Sequence, residues 1–378
     1  MTSGMKINAL VIPDLFPGFE GDVQGIFIWD YLRSTEPYCN NTVFVVKLAG
    51  DKKGLSEERQ GATKVFRLNI RSKKTSSLLK PFYYLLWFRR GLAEAKKITP
   101  VDLIHAHGSI LSGTLAWRLA RRLNVPFVLT EHVGPFSTVT SSPWRKSWTK
   151  FIMQKADVVL CVSQHQKNEI LAAGIRPKKI IVSNNPVDTA LFVPAKNTAE
   201  TKNILFAGRL DDFKGALRVV KAFGKLAAYK PEWKLTIVGD GQEYEPIRRL
   251  LENDTLLGSK VFLLGKRSKQ EIAQEMQRAA FFVFPSRHES FGLVVAEALS
   301  AGLPVITTNT TAPPEFVDAQ SGLLVNPGDV AALEKAMAHM TEHYKEYDSA
   351  RIRQRIVSSF GFENFGKKLR DLYLSLLK

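Results

Sequence analysis

The chain has 378 residues, 45% hydrophobic and 24% charged, which is the balance of a soluble globular protein and too long for one compact core of the usual size. Two cysteines, Cys39 and Cys161, exclude a disulfide framework, and no apolar run reaches the roughly 18 residues of a membrane-spanning helix. The net charge is +17, with 27 Lys+Arg against 14 Asp+Glu in residues 1–190 and 26 against 22 in the remainder. The excess therefore sits in the first half, which suits an acidic partner such as a membrane surface, a phosphorylated lipid or nucleic acid.

The first half alternates strands and helices. Strands are expected at 6–12, 42–47, 64–69, 102–105, 127–130, 158–162 and 179–182, with helices at 25–34, 78–97, 109–123, 144–154 and 164–173 between them. The start of the chain lacks the apolar length and cleavage site of a signal peptide, and Cys161 lies in the apolar run Val-Val-Leu-Cys-Val. Together they read as a reduced cytosolic protein. A Pro/Asn/Thr/Lys-rich stretch at 187–201 is the expected linker. The second half repeats the rhythm, with strands at 203–207, 234–238, 261–264, 280–284, 305–307 and 322–325 and helices at 215–228, 242–251, 269–278, 292–301, 329–343 and 363–377. Alternation in both halves implies an α/β fold of two doubly wound parallel sheets: residues 1–190 with 360–378, and residues 191–359.

Four places in the first half carry candidate chemistry. The turn from the first strand to the first helix, residues 16–25, holds three glycines that let backbone approach a ligand, Gly25 among them. His105, His107 and Gly108 end one strand, and Thr130, Glu131 and His132 end another. One of the alternating histidines is expected to be structural, with His107 and His132 as donors to sugar hydroxyls. No metal-ligand spacing accompanies them. Residues 71–97 combine Phe82, Trp87 and Phe88 with Arg71, Lys73, Lys74, Lys80, Arg89, Arg90, Lys96 and Lys97, a mixture that suits an anionic membrane surface. A core helix with its rings on the sheet is the plainer reading, and the two are compatible.

In the second half, Gly208-Arg209-Leu-Asp-Asp-Phe-Lys214-Gly215 follows a strand and opens a helix, so Arg209 and Lys214 flank a loop suited to a diphosphate. Gly239 and Gly241 form a glycine turn, with tight packing the plainer reading for Gly239. Gly265 and Lys266 follow another strand, where backbone could meet a nucleobase. Between two further strands lie Glu289, a glycine turn at Gly292, and Glu297 two turns into the next helix. Two acids beside a helix start that favours anions are electrostatically odd unless each accepts from a hydroxyl. A nucleotide sugar supplies such hydroxyls.

These residues resemble the retaining nucleotide-sugar glycosyltransferases of family 4, with the two-domain GT-B fold. The resemblance rests on Gly208-Arg209…Lys214-Gly215, Gly239-Asp-Gly241, Pro285-Ser286…Glu289…Glu297 with its E-x7-E spacing, Gly302-x-Pro-Val305 and Asn326-Pro-Gly-Asp329. It implies that Arg209 and Lys214 neutralise the donor diphosphate, Glu289 orients the transferred sugar and Glu297 accepts from the ribose. Amides of Phe291, Gly292 and Leu293 hold phosphate or sugar, His132 sits near the reacting centre and Gly25 near the diphosphate. It further implies no metal or other cofactor, and a last helix that returns to the first domain. A single glycine at Gly25, where many relatives carry a pair, weakens that contact. The basic aromatic segment favours a lipid-linked glycan acceptor in surface polysaccharide synthesis, at the inner face of the cell membrane. A soluble acceptor and a nucleotide-sugar epimerase are the alternatives. A nucleic-acid partner is not expected, since no recognition-motif spacing is present.

Overall fold

A computed structural model of the chain describes residues 6–17, 25–49, 54–71, 80–195 and 201–377. The chain divides into two compact units, one of residues 1–186 with 362–378 and one of residues 187–361. In the first, the strands are β1 (Ile7–Pro13), β2 (Cys39–Ala49), β3 (Gly54–Gln60), β4 (Thr63–Arg71), β5 (Leu103–His107), β6 (Phe127–Glu131), β7 (Val158–Cys161) and β8 (Ile180–Val182). Its helices are α1 (Phe27–Thr35), α2 (Lys80–Ala95), α3 (Leu111–Leu123), α4 (Pro143–Lys155), α5 (Gln164–Ala172) and, from the end of the chain, α13 (Phe362–Leu376). The second unit holds β9 (Asn203–Ala207), α6 (Ala216–Ala227), β10 (Lys234–Val238), α7 (Tyr244–Asn253), α8 (Thr255–Lys260), β11 (Val261–Leu263) and α9 (Lys269–Gln277). It continues with β12 (Phe281–Phe284), α10 (Leu293–Ser300), β13 (Val305–Thr308), β14 (Gly322–Val325), α11 (Val330–His343) and α12 (Ser349–Phe360).

The first sheet has the order β3-β4-β2-β1-β5-β6-β7-β8 and the second β11-β10-β9-β12-β13-β14. Central strands such as β1, INALVIP, are nearly continuous apolar runs because helices cover both faces, as parallel sheets require. One face of the first sheet packs under α2 to α5, with Leu115, Leu119, Ile152 and Ile170 fully buried. On the other face, Phe365, Leu369 and Tyr373 of α13 pack on Ile7, Ala9, Leu103, Val128 and Leu160. The last helix is thus a structural layer of the first unit.

One expectation is corrected. The first sheet is not wholly parallel, because β3 pairs antiparallel with β4. Its sequence, GLSEERQ, is almost entirely exposed and polar, the composition of a protected edge rather than of a buried strand. Residues 187–195, where the linker is expected and where the second unit begins, are packed: Val187 and Phe192 are fully buried, and Val187 bridges to Gly361. Residues 255–260 form a separate helix, α8, capped by the Asp254 side chain on Leu257 N at 3.0 Å. The expected segments 18–24 and 72–79 lie outside the described residues.

Arg353 explains how residues 187–195 are held. Its guanidinium donates to Phe192 O at 2.7 Å, Ser300 O at 2.6 Å and Thr189 O at 2.7 Å. Arg353→Met keeps the stem but removes three donated bonds, leaving Phe192 O with only Ser300 Oγ, and is expected to cost about 2–4 kcal/mol. A lowered urea midpoint with an unchanged slope checks it.

Candidate functional site

In the second unit the loops after β9, β10, β11 and β12 meet at the C-terminal ends of the strands, where parallel sheets place ligands. Backbone bonds stitch them together: Gly208 N to Val238 O at 3.0 Å, Leu210 N to Asp240 O at 2.9 Å, Gly239 N to Gly265 O at 2.9 Å and Arg287 N to Phe213 O at 2.8 Å. The two strongest sequence motifs are therefore neighbours in space.

Lys214 Nζ donates to Glu289 Oε1 at 2.5 Å, and both side chains are mostly buried. The ammonium also lies 5.7 Å from the centre of the Phe284 ring. Asp211 shapes the loop by accepting from Lys214 N at 3.0 Å, and it pairs with Arg209, whose side chain is largely exposed. Glu289 N donates to Thr311 Oγ1 at 3.0 Å. Thr311 has φ +60°, a conformation that a β-branched residue adopts only where its surroundings impose it.

Helix α10 begins behind this pair. Its N-cap is Gly292, at φ +89° and without a side-chain cap, so no side chain occupies the amides at the helix start, Leu293 and Val294. A Cβ on Gly292 would lie 3.8 Å from Glu289 Cβ. The ring of Phe291 belongs to the core, 5.3 Å from Phe316 and 5.2 Å from Phe360, which leaves its backbone for any ligand contact. Glu297 is buried and pairs with Lys269 Nζ at 3.0 Å. The apparent conflict of two acids near a helix start is thus resolved inside the protein, one lysine to each glutamate. Lys269 and Thr311 escaped the sequence reading, because nothing local in the sequence links them to Glu297 and Glu289.

Gly239 has a packing role. At φ +148°, a Cβ there would stand 1.8 Å from Gly208 O. Gly265 is at φ +70° with open space around it, and Lys266 is exposed.

The first unit brings together the other candidates. His107 Nδ1 lies 2.8 Å from His132 Nε2, and the outer nitrogens His107 Nε2 and His132 Nδ1 are buried without hydrogen-bond partners among the described residues. His105 is the structural histidine: its Nδ1 meets Tyr31 at 2.5 Å and Tyr373 at 2.6 Å, and its Nε2 meets Thr130 Oγ1 at 2.6 Å. Glu131 Oε1 accepts from His132 N at 3.0 Å and Val133 N at 3.1 Å. Gly25 has φ +73°, and a Cβ there would meet Leu15 O at 2.4 Å, so its glycine is explained by packing.

Burial holds all three imidazoles neutral, His105 and His132 down to about 3 and His107 well below its ordinary value. Burial likewise raises Glu131, countered by the nearby Ser109 hydroxyl and the Val133 amide, and raises Asp14, countered by Ser112. The unfolded chain protonates these three histidines below about pH 6.5, whereas burial delays this in the folded chain, to about 3 for His105 and His132, so acidification favours unfolding. The raised carboxyls oppose this until the unfolded carboxyls also protonate near pH 4. Stability is therefore expected to fall as pH drops from about 6.5 towards 3, with His105 and His132 each contributing at most about 1.4 kcal/mol per pH unit. Urea midpoints measured against pH test the sign.

Two glycosyltransferase family models match the chain. Glycosyl transferases group 1 matches residues 189–355, and glycosyltransferase family 4 matches residues 40–191. The chain belongs to these glycosyltransferases. An uncharacterized glycosyltransferase of Methanocaldococcus jannaschii is 29% identical over 234 residues, 61% of this chain and 63% of its own length. A phosphatidylinositol N-acetylglucosaminyltransferase component of Arabidopsis thaliana is 26% identical over 390 residues, covering all of this chain and 84% of its own. Sucrose-phosphate synthase from Thermosynechococcus elongatus superposes with a TM-score of 0.81 at 22% identity, over 98% of this chain and 99% of the other. The fold of the transferase is GT-B. Among the described residues, no helix is long and apolar enough to cross a membrane.

Proposed function

We propose that the enzyme moves a sugar from a nucleoside-diphosphate sugar, with retention of configuration, to a lipid-linked glycan at a membrane surface. The observation that carries this reading is the Lys214–Glu289 pair at the strand ends, beside the uncapped start of α10. Breaking the sugar–phosphate bond leaves an oxocarbenium-like sugar and a diphosphate whose charge rises. Cations and amides already in place stabilise that charge without reorganisation.

Lys214 faces the diphosphate, and Arg209 swings from Asp211 to join it. Glu289, held by Lys214 and Thr311, accepts from hydroxyls of the transferred sugar. Glu297, paired with Lys269, accepts from the ribose. The acceptor hydroxyl attacks the face that the leaving group vacates, and a departing phosphate oxygen takes its proton, so no enzymic nucleophile is needed. Backbone at Gly265 and Lys266 meets the base.

The lipid-linked acceptor is supported by the basic excess of residues 1–190 and by the lipid named in the Arabidopsis relative. The described part of the basic aromatic segment, Trp87 to Lys97, reaches the surface through Arg89, Arg90, Lys96 and Lys97. Binding to anionic vesicles that weakens as salt rises is expected; no sedimentation with vesicles at low salt would refute membrane contact. With two protein cations at the diphosphate, turnover is expected to persist in EDTA. A rate that collapses in chelator and returns with a divalent ion would contradict this. Net transfer to an acceptor, rather than interconversion of free nucleotide sugars, separates the transferase from an epimerase.

A further inference from the structure

The first unit contains a cavity of about 720 Å³, the size of a small-molecule site. The buried Ser109 and Glu131, at the C-terminal ends of β5 and β6, line it, as does the exposed Asp14 just after β1. Its walls are Trp87 of α2 and Trp148 of α4 with aliphatic side chains at the start of α3, and Trp144 and Arg145 also line it.

Three features mark it as built for a ligand. First, Glu131 is 1% exposed, yet its Oε2 and the neighbouring Ser109 Oγ are buried without a well-formed hydrogen bond. The hydroxyl is close enough to favour the carboxylate but is not in bonding geometry with it. An unsatisfied buried carboxylate oxygen is costly, and a hydroxyl supplied by a ligand would relieve it. Second, the indole N–H groups of both wall tryptophans are tied elsewhere, Trp87 Nε1 to Val46 O at 3.1 Å and Trp148 Nε1 to Thr114 Oγ1 at 2.9 Å. Their rings are fixed and present apolar surface. Third, Arg145 spends its Nε on Val139 O at 3.2 Å and makes no ion pair among the described residues, while Trp144 is 64% exposed beside it.

We infer that this cavity receives the acceptor, and that the acceptor is an amphiphile: a neutral, hydroxyl-bearing end inside, an anionic linkage at Arg145 and a hydrocarbon leaving past Trp144. The inference rests on the transferase reading for the word acceptor, but the ligand chemistry comes from the cavity alone. The buried Glu131 carboxyl, with Asp14 also lining the cavity, rejects small anionic acceptors, whose charge would have to sit among apolar walls. Aliphatic side chains between the rings disfavour a wholly polar oligosaccharide. An exposed tryptophan next to an arginine suits the boundary between a charged headgroup and hydrocarbon.

The test titrates the full chain, without donor, against three probes: glucosyl octyl phosphodiester, methyl β-glucoside and octyl phosphate. Tryptophan fluorescence reads binding. The phosphodiester is expected to bind at least tenfold more tightly than either fragment. Leu111→Trp, which fills the cavity from a partly exposed position, is expected to weaken it more than tenfold. Glu131→Leu is expected to abolish its advantage over octyl phosphate. Phosphodiester affinity unchanged in Leu111→Trp, or methyl β-glucoside binding as tightly as the phosphodiester, overturns the inference. A thermal-shift screen of UDP, GDP and ADP on the same samples reads the donor site independently. Lost nucleotide binding with intact amphiphile binding would strike the transferase reading and leave the cavity assignment standing.

Discussion

Replacing Glu289 by alanine is expected to lower turnover about 10²–10³-fold, with Lys214→Ala at least as damaging. The two act as a unit, because Lys214 Nζ and Glu289 Oε1 are 2.5 Å apart in a mostly buried contact. Removing the lysine withdraws a cation from the diphosphate and leaves a carboxylate beside it, so ground-state affinity and the barrier both suffer. Removing the glutamate leaves the cation but frees it to move, and it loses the acceptor for sugar hydroxyls. The double variant should cost little more than the worse single one, the non-additivity of coupled residues. Steady-state kinetics on purified, folded variants decide the matter, and near-normal rates in both would remove the pair from the mechanism.

The largest effect on stability is expected from Gly239→Ala. The added methyl would stand 1.8 Å from Gly208 O, and φ +148° is itself unfavourable for any residue with a Cβ. Backbone cannot yield as a side-chain tip can. The turn must therefore move away from β9, breaking the bond from Gly239 N to Gly265 O. A loss of about 3–5 kcal/mol is expected, enough to unfold much of the second unit. Gly265→Ala is the control: its φ of +70° strains an alanine, but nothing lies within 4 Å of the new Cβ, so the loss should be about 1 kcal/mol. Chemical denaturation of the two variants side by side checks the contrast.

The fold was legible because its strands are short apolar runs between helical patterns, and that rhythm survives in both halves. The pair of motifs around Lys214 and Glu289 was legible for a different reason: each is a strand end followed by a turn and a helix start, and parallel topology brings such ends together. What was hidden depends on distance or on polarity. Strand β3 carries no apolar alternation, because its side chains face water and only its backbone pairs with β4. Lys269 opens α9 behind the Ser268–Glu271 capping box, and nothing there announces a partner on α10. Residues 187–195 look like a linker by composition, yet they are held by Arg353, which lies 161 residues beyond Phe192. The cavity was the least legible feature. Trp87 and Trp148 sit on different helices, and the part of the basic aromatic segment that the structure describes proves to be partly cavity wall.

Calorimetric titration of the chain with a nucleoside diphosphate, repeated for Lys214→Ala, tests the central claim most directly. One base series should bind the wild type with measurable heat, and Lys214→Ala should weaken that binding at least tenfold while thermal unfolding stays close to wild type. Equal affinity in both proteins would mean that the diphosphate lies elsewhere, and the Lys214–Glu289 site would then have no claim on the donor.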